Sequence, residues 1–423
     1  MVGTGTPMTF AARVKKAISS AMPDPIAERV LPFKRAAFRE AGVTSVADAP
    51  CRLFLGPVNS AGQAHAWARV AESLPGVAAA NFMYRNAGDV FRYPADHAVA
   101  TSYFVTNRRW QRAQRRAVSS RFTHVLIESG REILGSGRSA TEDAAFLAAR
   151  GVTVGLLWHG SDIRTPSVHA ATEPDSPFRR GDYVDQERLE QIARANHTLI
   201  RDSGLPCFVS TPDLLGFVPD AVWLPVVVEP ARWASSAVRP PLTGTRRPVV
   251  VHAPSRAGLK GTALIQDAVR RLDAEGVIEY RELAGLPAAR MPEAYGQADI
   301  VLDQFSLGMY GVAACEALAG GRLVISHVSD EVRGFVRRTT GLEPPIMQSR
   351  AADLEETLRH VVSEPDAALA LAATGPGFVA AVHSGRLSAA ALATFLGVDT
   401  NRPGRACETG GSAHRPTQED ASA

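Results

Sequence analysis

Pro248-Val-Val-Val-His252-Ala-Pro-Ser-Arg-Ala-Gly-Leu-Lys-Gly261-Thr262 is the stretch from which the fold is read. An apolar run of strand length opens into a loop of small and cationic residues. A helix pattern follows over Thr262–Glu275, with Leu264, Ile265, Ala268, Val269 and Leu272 on one face and Gly276 just past its end. The alternation continues: a strand at Val277–Arg281, a helix at Met291–Gln297, a strand at Asp299–Asp303, a helix at Val312–Ala319 and a strand at Leu323–Ser326. Strands alternating with helices predict a parallel sheet covered on both faces.

The same pattern runs through the first half of the chain. Arg52–Gly56 reads as a strand, Pro57–Gly62 as a loop and Gln63–Leu74 as a helix. Further strands are expected at Val77–Met83, Val125–Glu128, Val152–Trp158 and, after the loop Ser210-Thr-Pro-Asp213, at Val222–Val228. Residues 229–247 are rich in Pro, Arg, Ser and Gly and read as an interdomain linker. The expected fold is α/β, with two Rossmann-like domains facing a central cleft. Short helices would fill residues 1–49, and the first domain residues 50–230. The linker proper would be 231–247, and the second domain, with its returning helices, 248–397. A disordered tail would follow over 398–423.

Composition bounds the function. Apolar residues are 45% and charged residues 21% of 423, which excludes a wholly disordered or fibrous chain. No run nears the roughly 18 apolar residues of a spanning helix. A net charge of +3 from 46 basic and 43 acidic residues is too even to point to nucleic acid. Cys51, Cys207, Cys315 and Cys407 form no C-x-x-C pair, so neither a disulfide framework nor a zinc site is expected, and the default compartment is the reducing cytoplasm. Lys15 and Lys16 follow the short apolar stretch Met8–Ala12, the reverse of a signal peptide.

Ligands of open parallel sheets bind beyond the carboxyl ends of the strands, so the loops there carry the candidates. Ser255, Arg256 and Lys260 crowd the first loop at a helix N-terminus. Together they suit a diphosphate, although two solvated cations would look the same. Lys260 is the only lysine beyond residue 34. The second loop is Asp303-Gln-Phe-Ser-Leu-Gly-Met-Tyr-Gly311, where Gly308 and Gly311 let backbone approach a ligand. Glu316 follows inside an apolar run. Either a ribose diol satisfies it or it sits solvated at the helix edge. In the first domain, Asn59, Ser60 and Gly62 lie in a strand-to-helix loop that faces an acceptor or is an ordinary turn. No Asp-x-Asp pair is present, and no metal is expected.

Arg108, Arg109, Arg112, Arg115, Arg116 and Arg121 surround Trp110. On a helix, Trp110, Ala113 and Ala117 share a face, a pattern that suits peripheral contact with an anionic membrane or a Trp packed on its own domain. Lys15, Lys16, Arg29, Lys34 and Arg35 are read the same way. His252, His327 and His360 form no readable motif and are expected to be structural.

Arg256…Lys260-Gly261, Ala298-Asp-Ile-Val301, Gly308-Met-Tyr-Gly-Val-Ala-Ala-Cys-Glu-Ala-Leu-Ala-Gly-Gly321 and Val324-Ile325, in this order, resemble the C-terminal half of the retaining GT-B-fold glycosyltransferases of family 4. His159-Gly-Ser-Asp-Ile-Arg164, after a strand, resembles that family's acceptor-side loop, and Ser210–Asp213 and Trp223-Leu-Pro225 the close of its first domain. The resemblance implies a transferase using a UDP- or GDP-sugar, without a cofactor, toward a glycan or lipid-linked acceptor at the inner face of the cell membrane. Arg256 and Lys260 would hold the diphosphate, Glu316 the ribose, and backbone around Glu282, Leu283 and Ala284 the base. His159, with Asp162 as partner, would serve sugar and acceptor. The first Glu of the family's Glu-x7-Glu pair, which holds the donor sugar, falls at Gly308. Backbone N–H groups of Met309, Tyr310 and Gly311 would then serve in its place. Two other readings keep the fold: a nucleotide-sugar epimerase or hydrolase, and a non-catalytic nucleotide-sugar-binding subunit.

Overall fold

The structure is a computed structural model and describes residue 26 and residues 41–399 apart from 87, 182 and 245. Of residues 1–49, expected to form short helices, Ile26 and residues 41–49 are described, and 42–49 run without helix. Of the tail expected over 398–423, residues 398 and 399 are described, and Lys15, Lys16, Arg29, Lys34 and Arg35 lie outside the described residues.

The first domain carries β1 (Cys51–Gly56), β2 (Val77–Arg85), β3 (His97–Ala100), β4 (His124–Glu128), β5 (Thr153–Trp158), β6 (Cys207–Val209) and β7 (Val222–Trp223). They form one parallel sheet in the order β3-β2-β1-β4-β5-β6-β7. Successive side chains point to opposite faces, so an apolar strand feeds two cores. Phe54, Val125, Ile127, Leu156 and Trp158 bury on one face. Leu53, Leu55, Leu126 and Leu157 bury on the other, beneath Trp67. The second domain carries β8 (Val249–His252), β9 (Glu279–Glu282), β10 (Ile300–Leu302), β11 (Leu323–Ser326) and β12 (Met347–Gln348), parallel in the order β12-β11-β10-β8-β9. Strand order reverses between β1 and β4 in one sheet and between β8 and β10 in the other. The loops at these two reversals open crevices that face each other.

Two expected elements differ. Only Val222–Trp223 of the expected strand Val222–Val228 pairs, because the chain then leaves the sheet to cross between the domains. Residues expected as a free linker are fixed to the second domain instead. A helix forms at Pro230–Ala234 with Trp233 buried in the second core, and Arg239 and Arg246 both pair with the buried carboxylate of Asp299, at 2.7 Å each. The chain crosses back at His383. Its N–H partner is Val379, its carbonyl accepts from Val228 at 2.8 Å, and its Nδ1 pairs with the Val226 carbonyl at 2.9 Å, so the two crossings are stitched together.

The span Asp366–Leu396 is long and apolar enough to pass for a membrane helix by length and composition. It is broken before Arg386. Phe378, Val379 and Val382 of its first half join the second core, and Leu392, Ala393 and Leu396 of its second half join the first. The arginine-rich helix Arg108–Arg121 also turns its apolar face inward. Trp110 is fully buried against Phe82 and Phe104, and its Nε1–H donates to the Gly42 carbonyl at 2.6 Å. That ring is the helix's docking residue on its own domain and is not available to a membrane.

Candidate active site

Glu128 ends the apolar strand β4 with its carboxylate fully buried. A charge there is tolerable only with strong donors around it. It accepts the Val58 N–H at 2.8 Å, the Asn59 N–H at 2.9 Å and His159 Nε2 at 2.8 Å. One carboxylate thus fixes both the loop after β1 and the imidazole after β5. The His159 ring also stacks on Trp67, with 5.8 Å between centroids. Burial opposes a charge on His159, but the Glu128 hydrogen bond and the charges of Glu128 and Asp162 outweigh it and raise the imidazole above its ordinary value. Asp162 is not the ring's hydrogen-bond partner. It accepts the backbone N–H groups of His159 and Gly160 and the Ser129 hydroxyl, and so shapes the loop.

Across the cleft, Lys260 forms an ion pair with Asp303, which is almost wholly buried and keeps its other oxygen without a partner. Gly261, at φ +74°, joins the short helix Ala257–Lys260 to the long helix Thr262–Ala274. A Cβ there would stand 2.3 Å from the Ser306 hydroxyl, so glycine is what lets the two ligand loops of this domain lie against each other. Gly311 caps the helix Val312–Ala319, and Glu316 sits one turn in. The Glu316 carboxyl makes no hydrogen bond among the described residues. Burial pushes its pKa up to about 8. Arg232 opposes the rise, Asp303 adds to it, and Lys260 opposes it. An unpartnered carboxyl beside a cation and a helix N-terminus suits a ligand hydroxyl as donor and a ligand phosphate next to it.

These groups meet in one cavity of about 260 Å³ between the domains. His159 and Ser60 line it from the first domain, with Ser210 and Thr211. From the second come Ser255, Lys260, Leu283, Met309, Gly311 and Glu316. The Thr211 hydroxyl is buried without a hydrogen-bond partner among the described residues. Other expected site residues lie elsewhere. Arg256 is exposed at the rim and donates to Ser161 of the opposite domain at 3.4 Å. The Tyr310 ring is buried in the second core, with its hydroxyl 3.2 Å from His383 Nε2, so only its neighbours Met309 and Gly311 reach the cavity. Glu282 and Ala284 point to solvent, and Leu283 alone of that trio lines the cavity. Asn59 is a buried brace for its own loop, its amide donating to the Pro94 carbonyl at 2.8 Å. Gly62 opens onto a second, adjoining cavity.

Gly308 takes a left-handed φ of +66°, and a Cβ there would lie 3.0 Å from the carboxylate of Glu173, which comes from the first domain. His327 Nε2 donates to that carboxylate at 3.0 Å while Gln348 holds His327 Nδ1 at 2.9 Å. Arg350 Nη1 donates to Glu173 at 2.9 Å and to Asp175 at 2.6 Å. Burial would raise the Glu173 carboxyl, but the His327 and Arg350 hydrogen bonds pull it down to about 2. His327 is therefore part of an interdomain cluster. His252 stays structural, buried between the Leu302 carbonyl and the Thr262 hydroxyl. Glu128 and Glu173 were not singled out by sequence reasoning. The one available signal for Glu128 was a carboxylate closing an otherwise apolar strand; Glu173, in a polar loop, gave none.

Among the described residues no cluster of three or more His, Cys, Asp or Glu could hold a metal ion. No protein-family model matches the chain, and no curated protein matches it in sequence. Solved structures do match in fold. Sucrose-phosphate synthase from Thermosynechococcus elongatus superposes with a TM-score of 0.54 at 12% identity, over 81% of this chain and 98% of the synthase. HepE (Alr3699) of Anabaena, in complex with UDP and glucose, superposes with a TM-score of 0.53 at 12% identity, over 82% of this chain and 99% of HepE. The same protein in complex with UDP-glucose gives 0.52 at 10% identity, over 82% and 99%. The chain shares their two-domain, Rossmann-like GT-B fold.

Proposed function

We propose that the protein transfers a glycosyl group from a nucleoside-diphosphate sugar to an acceptor held by its first domain. The observation that carries this reading is the cavity itself. Lys260, a helix N-terminus and the unpartnered Glu316 form one wall, and His159, anchored by Glu128 behind it, lines the other. HepE, of the same fold, binds UDP and UDP-glucose, which supports the same donor chemistry here.

In such a transfer the bond from the anomeric carbon to the diphosphate oxygen breaks, and a bond to the acceptor oxygen forms. Negative charge gathers on the departing diphosphate. Lys260, the Ser255 hydroxyl and the N–H groups at Val312 and Ala313 stand where that charge develops, with Arg256 at the rim. These fixed donors supply the positive field. Glu316 accepts from the ribose diol. His159, anchored through Nε2, leaves Nδ1 for substrate, and Glu128 stabilises the ring if it takes the acceptor proton. The reading includes the finer points of the resemblance: retention at the anomeric carbon, a UDP- or GDP-sugar, a glycan or lipid-linked acceptor, no further cofactor, and work at the cytoplasmic face of the membrane.

The test is release of nucleoside diphosphate from UDP- and GDP-sugars, with and without acceptor, beside Lys260→Ala. Acceptor-dependent release from one donor, reduced about 10²-fold or more by the substitution, supports transfer. Release that is unaffected by acceptors assigns hydrolysis instead. No release from any donor that nevertheless binds leaves the binding-subunit reading.

A further inference from the structure

A larger cavity, about 690 Å³, adjoins the first. Ala61, Gln63, Tyr93 and Glu316 line both, whereas His159 and Lys260 line only the first. The second space therefore extends away from the reacting groups, toward the two stitched crossings between the domains. Its volume lies in the range of small-molecule sites.

Three exposed arginines line it from separate parts of the chain. Arg92 comes from the loop after β2, Arg232 from the helix Pro230–Ala234, and Arg386 from the start of the helix Arg386–Leu396. Arg92 and Arg386 have no side-chain hydrogen bond or ion pair among the described residues. Arg232 makes one long hydrogen bond, 3.5 Å to the Ala288 carbonyl, lies over the Trp233 ring at 5.9 Å, and acts on Glu316 through its charge. The nearby Arg69 is already committed to Glu72 and Asp96. Among the described residues, two carboxyls, Glu229 and Glu316, line the same space. Val70, Val227 and Trp233 supply apolar wall between the cations. Guanidiniums around one cavity repel each other and present bidentate donors that fit a phosphate. A cavity of this size also leaves room for an organic body against the apolar wall.

We propose that this second cavity binds a phosphorylated small molecule, held by Arg92, Arg232 and Arg386 and distinct from the nucleotide. The two ligands meet at Glu316, so each alters the other's affinity by the same factor. The coupling rests on the nucleotide reading of the first cavity; the phosphate site itself does not.

The experiment is calorimetric titration with inorganic phosphate, pyrophosphate and citrate. It is run first on Arg256→Gln/Lys260→Gln, which removes the cations of the first cavity. Pyrophosphate should still bind this variant. Adding Arg92→Gln/Arg386→Gln should weaken it about tenfold or more, and Arg386→Gln alone should weaken it measurably. UDP titrated into Arg92→Gln/Arg386→Gln alone reports whether the first cavity is intact, so failure of either site is read separately. The proposal is overturned if none of the three anions binds Arg256→Gln/Lys260→Gln at millimolar concentration. Equal binding with and without Arg92 and Arg386 also overturns it, as an adventitious ion only. Tight citrate binding with no phosphate or pyrophosphate binding overturns the phosphate assignment.

Discussion

At the scale of single residues, two carboxyls at the cleft have opposite surroundings. Glu128 is paid with three donors, whereas Glu316 has none. The folded pKa of Glu316 is raised above its ordinary 4.5 to about 8, so keeping it ionised costs stability. That cost is absent below about pH 4.5, grows as pH rises to about 8 and is full above it. Glu316→Gln should therefore raise the melting temperature of the free protein by several degrees at about pH 9 and leave it unchanged at about pH 4. Nucleotide bound through its ribose should lower that pKa, so binding at neutral pH releases protons. Titrations in buffers of different ionisation enthalpy read this directly. His159 has the opposite sign. Its folded pKa is raised, so the Glu128–His159 pairing contributes stability below about pH 6.5, and this is lost as pH climbs through the folded value. The stability gap between the wild type and Glu128→Gln should be widest in mild acid and narrow above it, in denaturation curves across pH.

At the scale of elements, loop packing sets the ligand wall. Gly261→Ala places a Cβ 2.3 Å from the Ser306 hydroxyl at a left-handed φ. A cost of about 1–3 kcal/mol is expected, with weaker nucleotide binding, because the loops carrying Lys260 and Gly311 must separate. Urea unfolding and nucleotide titration check both. The alternation that predicts the second domain was legible because β8, β10 and β11 are short, continuous apolar runs bounded by polar loops. β3 was not legible, since Val99 is its one buried residue. β6 and β12 have three and two residues, too few to show a period. In the site, Ser255, Lys260 and Glu316 were legible from one loop and one helix each. The Tyr310 ring turns into the core, which sequence spacing does not show, but the expectation for Tyr310 concerned its backbone N–H.

At the scale of the whole molecule, the cleft is closed by polar contacts that depend on both domains. Glu173 reaches Gly308, His327 and Arg350, and Asp175 shares Arg350. No local pattern could show this, since Glu173 and Arg350 are 177 residues apart. The depressed pKa of Glu173, about 2, means the clasp is fully present above about pH 4.5 and is lost as pH falls toward 2. Glu173→Ala should open the domains at neutral pH, seen as a larger radius of gyration in X-ray scattering. Gly308→Glu should do the same by setting a second carboxylate against Glu173. An unchanged radius in both would show that the two crossings and the other interdomain contacts, Arg256 to Ser161 among them, hold the cleft shut without Glu173.

The central claim is that the smaller cavity binds a nucleoside diphosphate. Its most direct test is the melting temperature of the wild type and of Glu316→Ala with UDP, GDP, ADP and TDP at neutral pH. A ligand at 100 times its dissociation constant stabilises by roughly 2.7 kcal/mol, a shift of several degrees. The account predicts that one of the four raises the wild type by that much and Glu316→Ala by far less. No shift with any of the four at millimolar concentration, or the same shift in both proteins, would contradict it.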